Sequence, residues 1–423
     1  MRILRNSARI LGGVFILSLT LSAQTFTTLY NFESQSHDGI CPLSGVILGP
    51  RGVLYGTTSG GGRWNDGTVY ELLPPASPGG AWTEVVLHSF NGQDGYGPSA
   101  GLVVGRNGSL YGVTQTLGRS NIAFRLDPPT GTSAHWPFTV LSQFTSDNIG
   151  PPSGALVFGA GGSLYGGTGG QGLSGGTVYS LTPPSVAGGA WTEAALYSFP
   201  GGSGGFGIAG PLAVGSGGGL FGVTTYGGQD SGSCIVGPGG CGTVFLLAPP
   251  TASSGAWTVR LLYDFWTSII VGTDGIHPQA GVLLAPAGVL YGITASGGSA
   301  GEGTVYSLTP PAVPGGPATE RILHSFPYTD YDGFTPVGLV LGASGVLYGT
   351  TQSGGAYGFG TVFQVAPGGL GGFTETILYS FKSDDQGFGP LPNGITLGPD
   401  GTLYGTTQQG GTLSHGSVFA LTP

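Results

Sequence analysis

"AGLVVGRNGSLYGVT" (100–114), followed by "IAFRL" (122–126) and "FTVLSQF" (138–144), decides the fold. The stretch holds four short runs: AGLVVG, SLYGVT, IAFRL and FTVLSQF. Each is five to seven residues long, rich in β-branched and aromatic residues and bounded by Gly, Pro or polar residues, as strands are. The same unit recurs along the chain. The aromatic of its LYG motif falls at Tyr55, Tyr111, Tyr165, Phe221, Tyr291, Tyr348 and Tyr404, with spacings of 56, 54, 56, 70, 57 and 56 residues. Seven copies at such a period mark a propeller or a solenoid. Four strands in each of seven copies predict an all-β protein, a seven-bladed β-propeller with four strands per blade, whose radial repetition protects the sheet edges. A β-solenoid is the rival reading, but its coils repeat at shorter periods and need no ring closure.

We letter the four strands of a copy A to D. The repeat begins out of phase: "FTTLYNF" (26–32) has the D pattern, and the last copy, 394–423, runs only from A to C and ends on "SVFAL" (417–421). The N-terminal strand is therefore expected to complete the last blade, giving one domain over residues 24–423 latched by backbone hydrogen bonds. Closure of this kind also hides an edge that could aggregate.

Composition fits this reading. Glycine supplies 88 of 423 residues and charged residues only 7%. No Gly-X-Y period is present, aromatics reach 11%, and the mean hydropathy is +0.22, so a core can form and disorder is disfavoured. The glycines lie between the apolar runs, where tight turns need them. Residues 1–23 read as a secretory signal: Arg2, Arg5 and Arg9, an apolar run over 10–21, then Ser22, Ala23 and Gln24. Twelve apolar residues are too few to span a bilayer comfortably, which sets aside an uncleaved anchor. Its removal leaves eight basic against twenty acidic residues, a net of −12, with Lys382 as the only lysine. Such a chain offers no basic patch for nucleic acid. The expectation is a secreted protein, extracellular or periplasmic, a monomer with no membrane association after signal cleavage.

The pattern is complete in "GLVLGASGVLYGTTQSGGAYGFGTVFQVAPGGLGGFTETILYSF" (338–381). With this unit repeated over nearly all of 26–423, the chain resembles the GloVer tandem-repeat (choice-of-anchor) exported proteins of bacteria. The resemblance implies export and a propeller-like fold, and no common activity. Many such proteins carry a C-terminal surface anchor, from which this chain, ending at Pro423, departs.

The copies differ from one another in a directed way. The segment from A to B is twelve residues in every copy, with a glycine before strand B at Gly52, Gly108, Gly162, Gly218, Gly288, Gly345 and Gly401, as a tight hairpin with a positive φ requires. Copy 4 instead carries nine extra residues between B and C and five extra after D. Strands alternate in direction, so B–C and D–A loops share one face, and both insertions emerge there. Function in repeat scaffolds concentrates in such loops. Candidate ligand-binding residues on this face are Trp266, Asp230, Asp274 and Trp64, the tryptophans as stacking surfaces and the acids as acceptors. Cys234 and Cys241 are expected to form a disulfide within the insertion. Cys41 is expected to be a small buried residue.

An Asp-Gly pair recurs before strand A at Asp38, Asp94, Asp274 and Asp332; Asp384 and Asp385 stand near the same place in copy 7 and Asp147 in copy 3. The residues permit a calcium or ligand site, but one acid per blade is too few for calcium, and a turn whose carboxylate caps its own backbone is favoured. No metal site or cofactor is assigned. His88 and His324 replace the Tyr of "LYSF" and read as surface-strand substitutions. Trp82, Trp136, Trp191 and Trp257 begin strand D and read as packing. No nucleophile elbow, HExxH or P-loop is present and no catalytic residue is assigned. The sequence thus reads as a non-enzymatic binding scaffold for a glycan or protein. The alternative is a secreted carbohydrate-active hydrolase or lyase, favoured if carboxylates converge beneath the copy 4 insertions.

Overall fold

The computed structural model describes residues 24–423 apart from 34–36, 116–120, 132, 146–149, 171–174, 187, 229–233, 235–238, 253–254, 267–273, 312–315, 330 and 384–387. The signal reading of 1–23, Asp147, Asp230, Asp384 and Asp385 lie outside the described residues. No helix among the described residues is long and apolar enough to cross a membrane.

Seven four-stranded antiparallel sheets follow one another, each with strands A to D in order. Blade 5 is representative: A is Gly275–Leu284, B Leu290–Gly297, C Thr304–Thr309 and D Thr319–Ser325. The other D strands used below are Thr83–Ser89 (blade 1), Phe138–Phe144 (blade 2), Thr192–Ser198 (blade 3), Thr258–Asp264 (blade 4) and Phe373–Ser380 (blade 6). The A strands differ in length although the segment from A to B does not. A is two residues in blades 1 to 3 and nine or ten in blades 4 to 7. The backbone path is shared, but the A–B ladder breaks in different places. In blade 1 Gly39–Ile40 pairs with Gly60–Gly61 as a separate ladder, and in blade 3 only a Pro152–Thr168 bridge remains. Proline brings no N–H to a ladder, but it also lies within the long A strands, at Pro211, Pro278 and Pro336, so it does not account for the difference.

Three sequence features recur because one packing solution recurs. The glycine of LYG lies opposite the aromatic of strand C. A Cβ at Gly56, Gly112, Gly166, Gly222, Gly292, Gly349 or Gly405 would come within 2.3–2.5 Å of Tyr70, Phe124, Tyr179, Phe245, Tyr306, Phe363 or Phe419 respectively. The missing side chain is thus the space a buried ring occupies. Threonines opening C pair with threonines in B: Thr58 with Thr68 at 2.8 Å, Thr224 with Thr243 at 2.8 Å, Thr294 with Thr304 at 2.9 Å. These hydroxyls are fully buried and would be costly without a partner. The hairpin glycines before strand B all have φ between 77° and 88°.

The core lies between blades. One cluster joins Val223, Val244, Leu262 and Phe265 of blade 4 to Val282, Leu290 and Tyr306 of blade 5. The tryptophans opening strand D pack on the LYG tyrosine of the preceding blade: Trp136 on Tyr55, Trp191 on Tyr111 and Trp257 on Tyr165, each about edge-on at 6.0–6.1 Å.

The ring closes through Thr25–Asn31, which pairs antiparallel with Ser417–Thr422 and becomes strand D of blade 7. Thr25 faces Thr422 and Asn31 faces Ser417. Phe32 is fully buried beside Tyr70 of blade 1, at 5.2 Å.

Candidate binding face and blade junctions

The two faces of the ring differ. One carries the uniform A–B turns. The other carries the B–C and D–A loops, and every exposed aromatic among the described residues lies on it. Trp64 (B–C, blade 1) and Trp266 (D–A, blades 4 to 5) are each 55% exposed. Tyr328 and Tyr331 (D–A, blades 5 to 6) are 74% and 80% exposed, and Tyr357 (B–C, blade 6) 52%. The Arg63 guanidinium stands 5.0 Å from the centre of the Trp64 ring, and the Lys382 ammonium 5.2 Å from that of Tyr357.

Three clefts open here or on the axis. Trp266 borders one of about 400 Å³ with Tyr263, Asp264, Pro317 and Ala318. Tyr328, Phe334 and Tyr357 border a second of about 390 Å³, floored by Gly354 and Gly355. The third, about 390 Å³, gathers Ser44, Ser99, Ser153, Gly210, Gln279 and Gln352 from six different blades, which places it on the ring axis. Its lining is hydroxyls, amides and small residues, with no ionisable side chain.

Of the residues singled out from sequence, Trp266 and Asp274 meet. Asp274 Oδ2 accepts a hydrogen bond from the Trp266 amide at 3.0 Å and from the Tyr263 hydroxyl at 3.1 Å. Trp64 belongs to a distant blade. Cys234 and Cys241 are bonded to each other, with Cα atoms 5.4 Å apart. The Cys241 carbonyl accepts from the His277 amide at 2.8 Å, tying the B–C insertion to the start of blade 5. Cys41 is half-buried rather than buried, a free thiol pushed up in pKa by desolvation.

The recurrent aspartates cap their loops and also join blades. Asp38 Oδ2 accepts from the Glu33 amide at 2.6 Å and from the Tyr30 hydroxyl at 3.2 Å; Asp94 Oδ1 accepts from the Asn91 amide at 3.0 Å. Each then faces the "LYSF" aromatic of its own D strand and a side chain near the start of the next blade's D strand. Where that side chain is Glu, an acid pair forms: Asp38 with Glu84, and Asp274 with Glu320, the latter also accepting from Tyr263 at 3.1 Å. Burial, reinforced by the neighbouring aspartate, raises both glutamates to about 8. Each pair therefore holds a shared proton at neutral pH. Where the side chain is Phe, rings stack: Phe138 on His88 at 4.0 Å, and Phe26 on Tyr379 at 3.9 Å.

This corrects the reading of His88 and His324. They are not surface substitutions: their side chains are 16% and 19% exposed and reach Asp94 and Asp332 at 3.1 and 3.5 Å. Sequence reasoning also missed the glutamates of the "TE" dipeptide as junction acids. Their recurrence at Glu84, Glu193, Glu320 and Glu375 was visible, but their partners lie in the neighbouring blade.

The fold and its one decorated face define a class: a seven-bladed propeller with a conserved-length turn face and an aromatic loop face. The chain belongs to the Gloeobacter/Verrucomicrobia repeat family, whose profile matches residues 5–236 and 233–423. No curated protein matches it. Among solved structures it is similar to a luciferin-regenerating enzyme (15% identity, 77% of this chain and 91% of that one, TM-score 0.44). It is also similar to the PQQ-bound aldose sugar dehydrogenase of Streptomyces coelicolor (13%, 94% and 98%, 0.44). A third is PorZ, a surface component of the type-IX secretion system of Porphyromonas gingivalis (14%, 88% and 46%, 0.49).

Proposed function

We propose that this chain is an exported binding propeller that holds a glycan by stacking on its loop-rich face. The observation that carries this reading is the confinement of the five exposed aromatics among the described residues to that face. Three of them, Tyr328, Tyr331 and Tyr357, belong to the blade 5–6 sector, and Trp266 to the adjacent junction. Rigid aromatic surfaces suit the apolar face of a sugar ring. Asp274 is engaged by its own loop and by Tyr263, so the ligand role expected for it passes to the exposed rings. The basic n-region and apolar run at the N-terminus support export, and so does a disulfide in the loop face.

The test is a glycan-array screen with residues 24–423, followed by titration of the best hit. Tyr328→Ala, Tyr357→Ala and Trp266→Ala are each expected to preserve the melting temperature. At least one should weaken binding by more than about tenfold, the size of losing one anchor. An array with no bound glycan, or binding unchanged in all three, overturns the reading; a protein ligand would then be sought.

One observation favours the hydrolase or lyase alternative. Asp274 and Glu320 converge on Tyr263 beside the Trp266 cleft, and a glutamic acid raised to about 8 is what a general acid needs. The Asp38–Glu84 pair repeats this arrangement at the 7/1 junction. Repetition around the ring is better explained by blade packing. Glycan cleavage abolished by Glu320→Gln would reverse that judgement.

A further inference from the structure

The 5/6 junction departs from its sisters in a way that acid-pair packing does not explain. At the 4/5 junction a tyrosine hydroxyl reaches both acids, at 3.1 Å each. At 5/6 the same position is His324, whose ring ends short of where that hydroxyl would be. Asp332 and Glu375 are still present. His324 Nε2 stays 3.5 Å from Asp332 Oδ2, long for a hydrogen bond. Both His324 Nε2 and Glu375 Oε1 are buried atoms with no hydrogen-bond partner among the described residues, as are His88 Nε2, Glu84 Oε1 and Glu320 Oε1 at sister junctions; what sets 5/6 apart is that a histidine meets two carboxylates there. One donor atom from each of the three residues lies within 4.8 Å of the others. Three donors face one another without bonding.

We propose that His324, Asp332 and Glu375 bind a divalent transition-metal ion of the zinc class between blades 5 and 6. Two ligand atoms at about 2.0–2.1 Å from a tetrahedral zinc lie about 3.3–3.4 Å apart; His324 Nε2 and Asp332 Oδ2 are already 3.5 Å apart, and Glu375, within 4.8 Å of both, would have to move slightly inward. One imidazole and two carboxylates suit zinc rather than calcium or magnesium, which take all-oxygen shells. A cation also removes the repulsion between two carboxylates held in one half-buried place. Three protein ligands leave a fourth position for water.

The donors are well positioned. His324 is fixed on strand D of blade 5, opposite Val305 and edge-on to Phe326 at 4.6 Å. Glu375 sits on strand D of blade 6, opposite Val365. The Asp332 carbonyl accepts from the Gly355 amide at 2.8 Å, and its Oδ1 from the Gly333 amide at 2.7 Å, which turns Oδ2 toward the histidine. None of the 1/2, 4/5 and 7/1 junctions supplies this set: at 1/2 Phe138 replaces the glutamate, and at 4/5 and 7/1 tyrosine replaces the histidine. The ion would tie the loop carrying Tyr328 and Tyr331 to blade 6, but its binding does not depend on any glycan.

The experiment is calorimetric titration of the chelator-treated full chain with zinc chloride, with calcium and magnesium chlorides in parallel and melting followed in each. One zinc per chain is expected, with a higher melting temperature and no comparable response to calcium or magnesium. His324→Tyr recreates the 4/5 arrangement and should fold; it and Glu375→Gln should each weaken zinc binding by more than tenfold, whereas His88→Tyr should not. No zinc binding, or zinc binding unchanged in His324→Tyr or in Glu375→Gln, overturns the proposal.

Discussion

The 6/7 and 4/5 junctions occupy the same place in the ring and are built from opposite chemistry. At 6/7 Phe26 lies flat on Tyr379, 3.9 Å away with 6° between the planes, and edge-on to Phe381 at 5.9 Å. At 4/5 Tyr263 instead bonds two acids that share a proton. The lesson is that the junction demands a filled, internally satisfied space and not a particular residue. A ring stack meets the demand without titrating. An acid pair meets it only while one carboxyl stays protonated. The N-terminal strand takes part in both kinds, with Phe26 facing blade 6 and Tyr30 facing Asp38 and Glu84.

The largest expected effect comes from removing the N-terminal strand, which takes part in the 6/7 stack and the 7/1 acid junction together. Deleting residues 24–33 takes away strand D of blade 7, the Phe26 stack and buried Phe32. Loss of one buried Phe alone costs about 3–5 kcal/mol. Thermal melting should drop by more than about 10 °C, and unchanged melting would show that the strand is not a latch.

A smaller change converts one junction chemistry into the other. Phe26→Glu places a carboxyl against Tyr379 with no aspartate described beside it. We expect a loss of about 2 kcal/mol at pH 8 from the broken stack and the desolvated charge. The loss should shrink at pH 5, where the new carboxyl can be protonated. Chemical denaturation at both pH values measures it, and a loss independent of pH would mean that only the stack matters.

The smallest effect concerns the acid pairs, and its sign is fixed. Glu84 and Glu320 titrate near 8 when folded and near 4.5 when unfolded. The folded chain therefore holds extra protons between these values, and stability declines as pH rises from about 4.5 to about 8, then levels. Glu320→Gln mimics the protonated state and keeps an acceptor for Tyr263. It should make this decline shallower, leaving the share of Glu84, and gain about 1 kcal/mol at pH 8, well below the full shift because the pair is partly solvated. A stability profile rising toward pH 8 in the parent chain would contradict the shared proton.

The repeat made the blade count, the closing strand and the packing role of the D-strand tryptophans legible, because the strand and turn pattern is restated seven times and the tryptophan four. The candidate site was legible in part. Exposed loop tryptophans stand out because tryptophan elsewhere in the chain keeps one register. Tyr328, Tyr331 and Tyr357 did not, since the same residue type fills cores at Tyr70, Tyr179 and Tyr306. The junction acids were hidden for a different reason: Asp274 and Glu320 are 46 residues apart in sequence and meet only because consecutive blades are neighbours in a ring.

What the sequence alone determined was everything set by short-range sterics and periodicity: strands, turns, the glycine opposite each strand C aromatic, and hence the propeller. Which side chains share an environment across a junction was set by packing between blades. The same "TE" glutamate and "DG" aspartate sit beside a tyrosine at 4/5 and beside a histidine at 5/6. Protonation and ligand preference depend on those neighbours and on burial, quantities that arise only when blades are packed against each other.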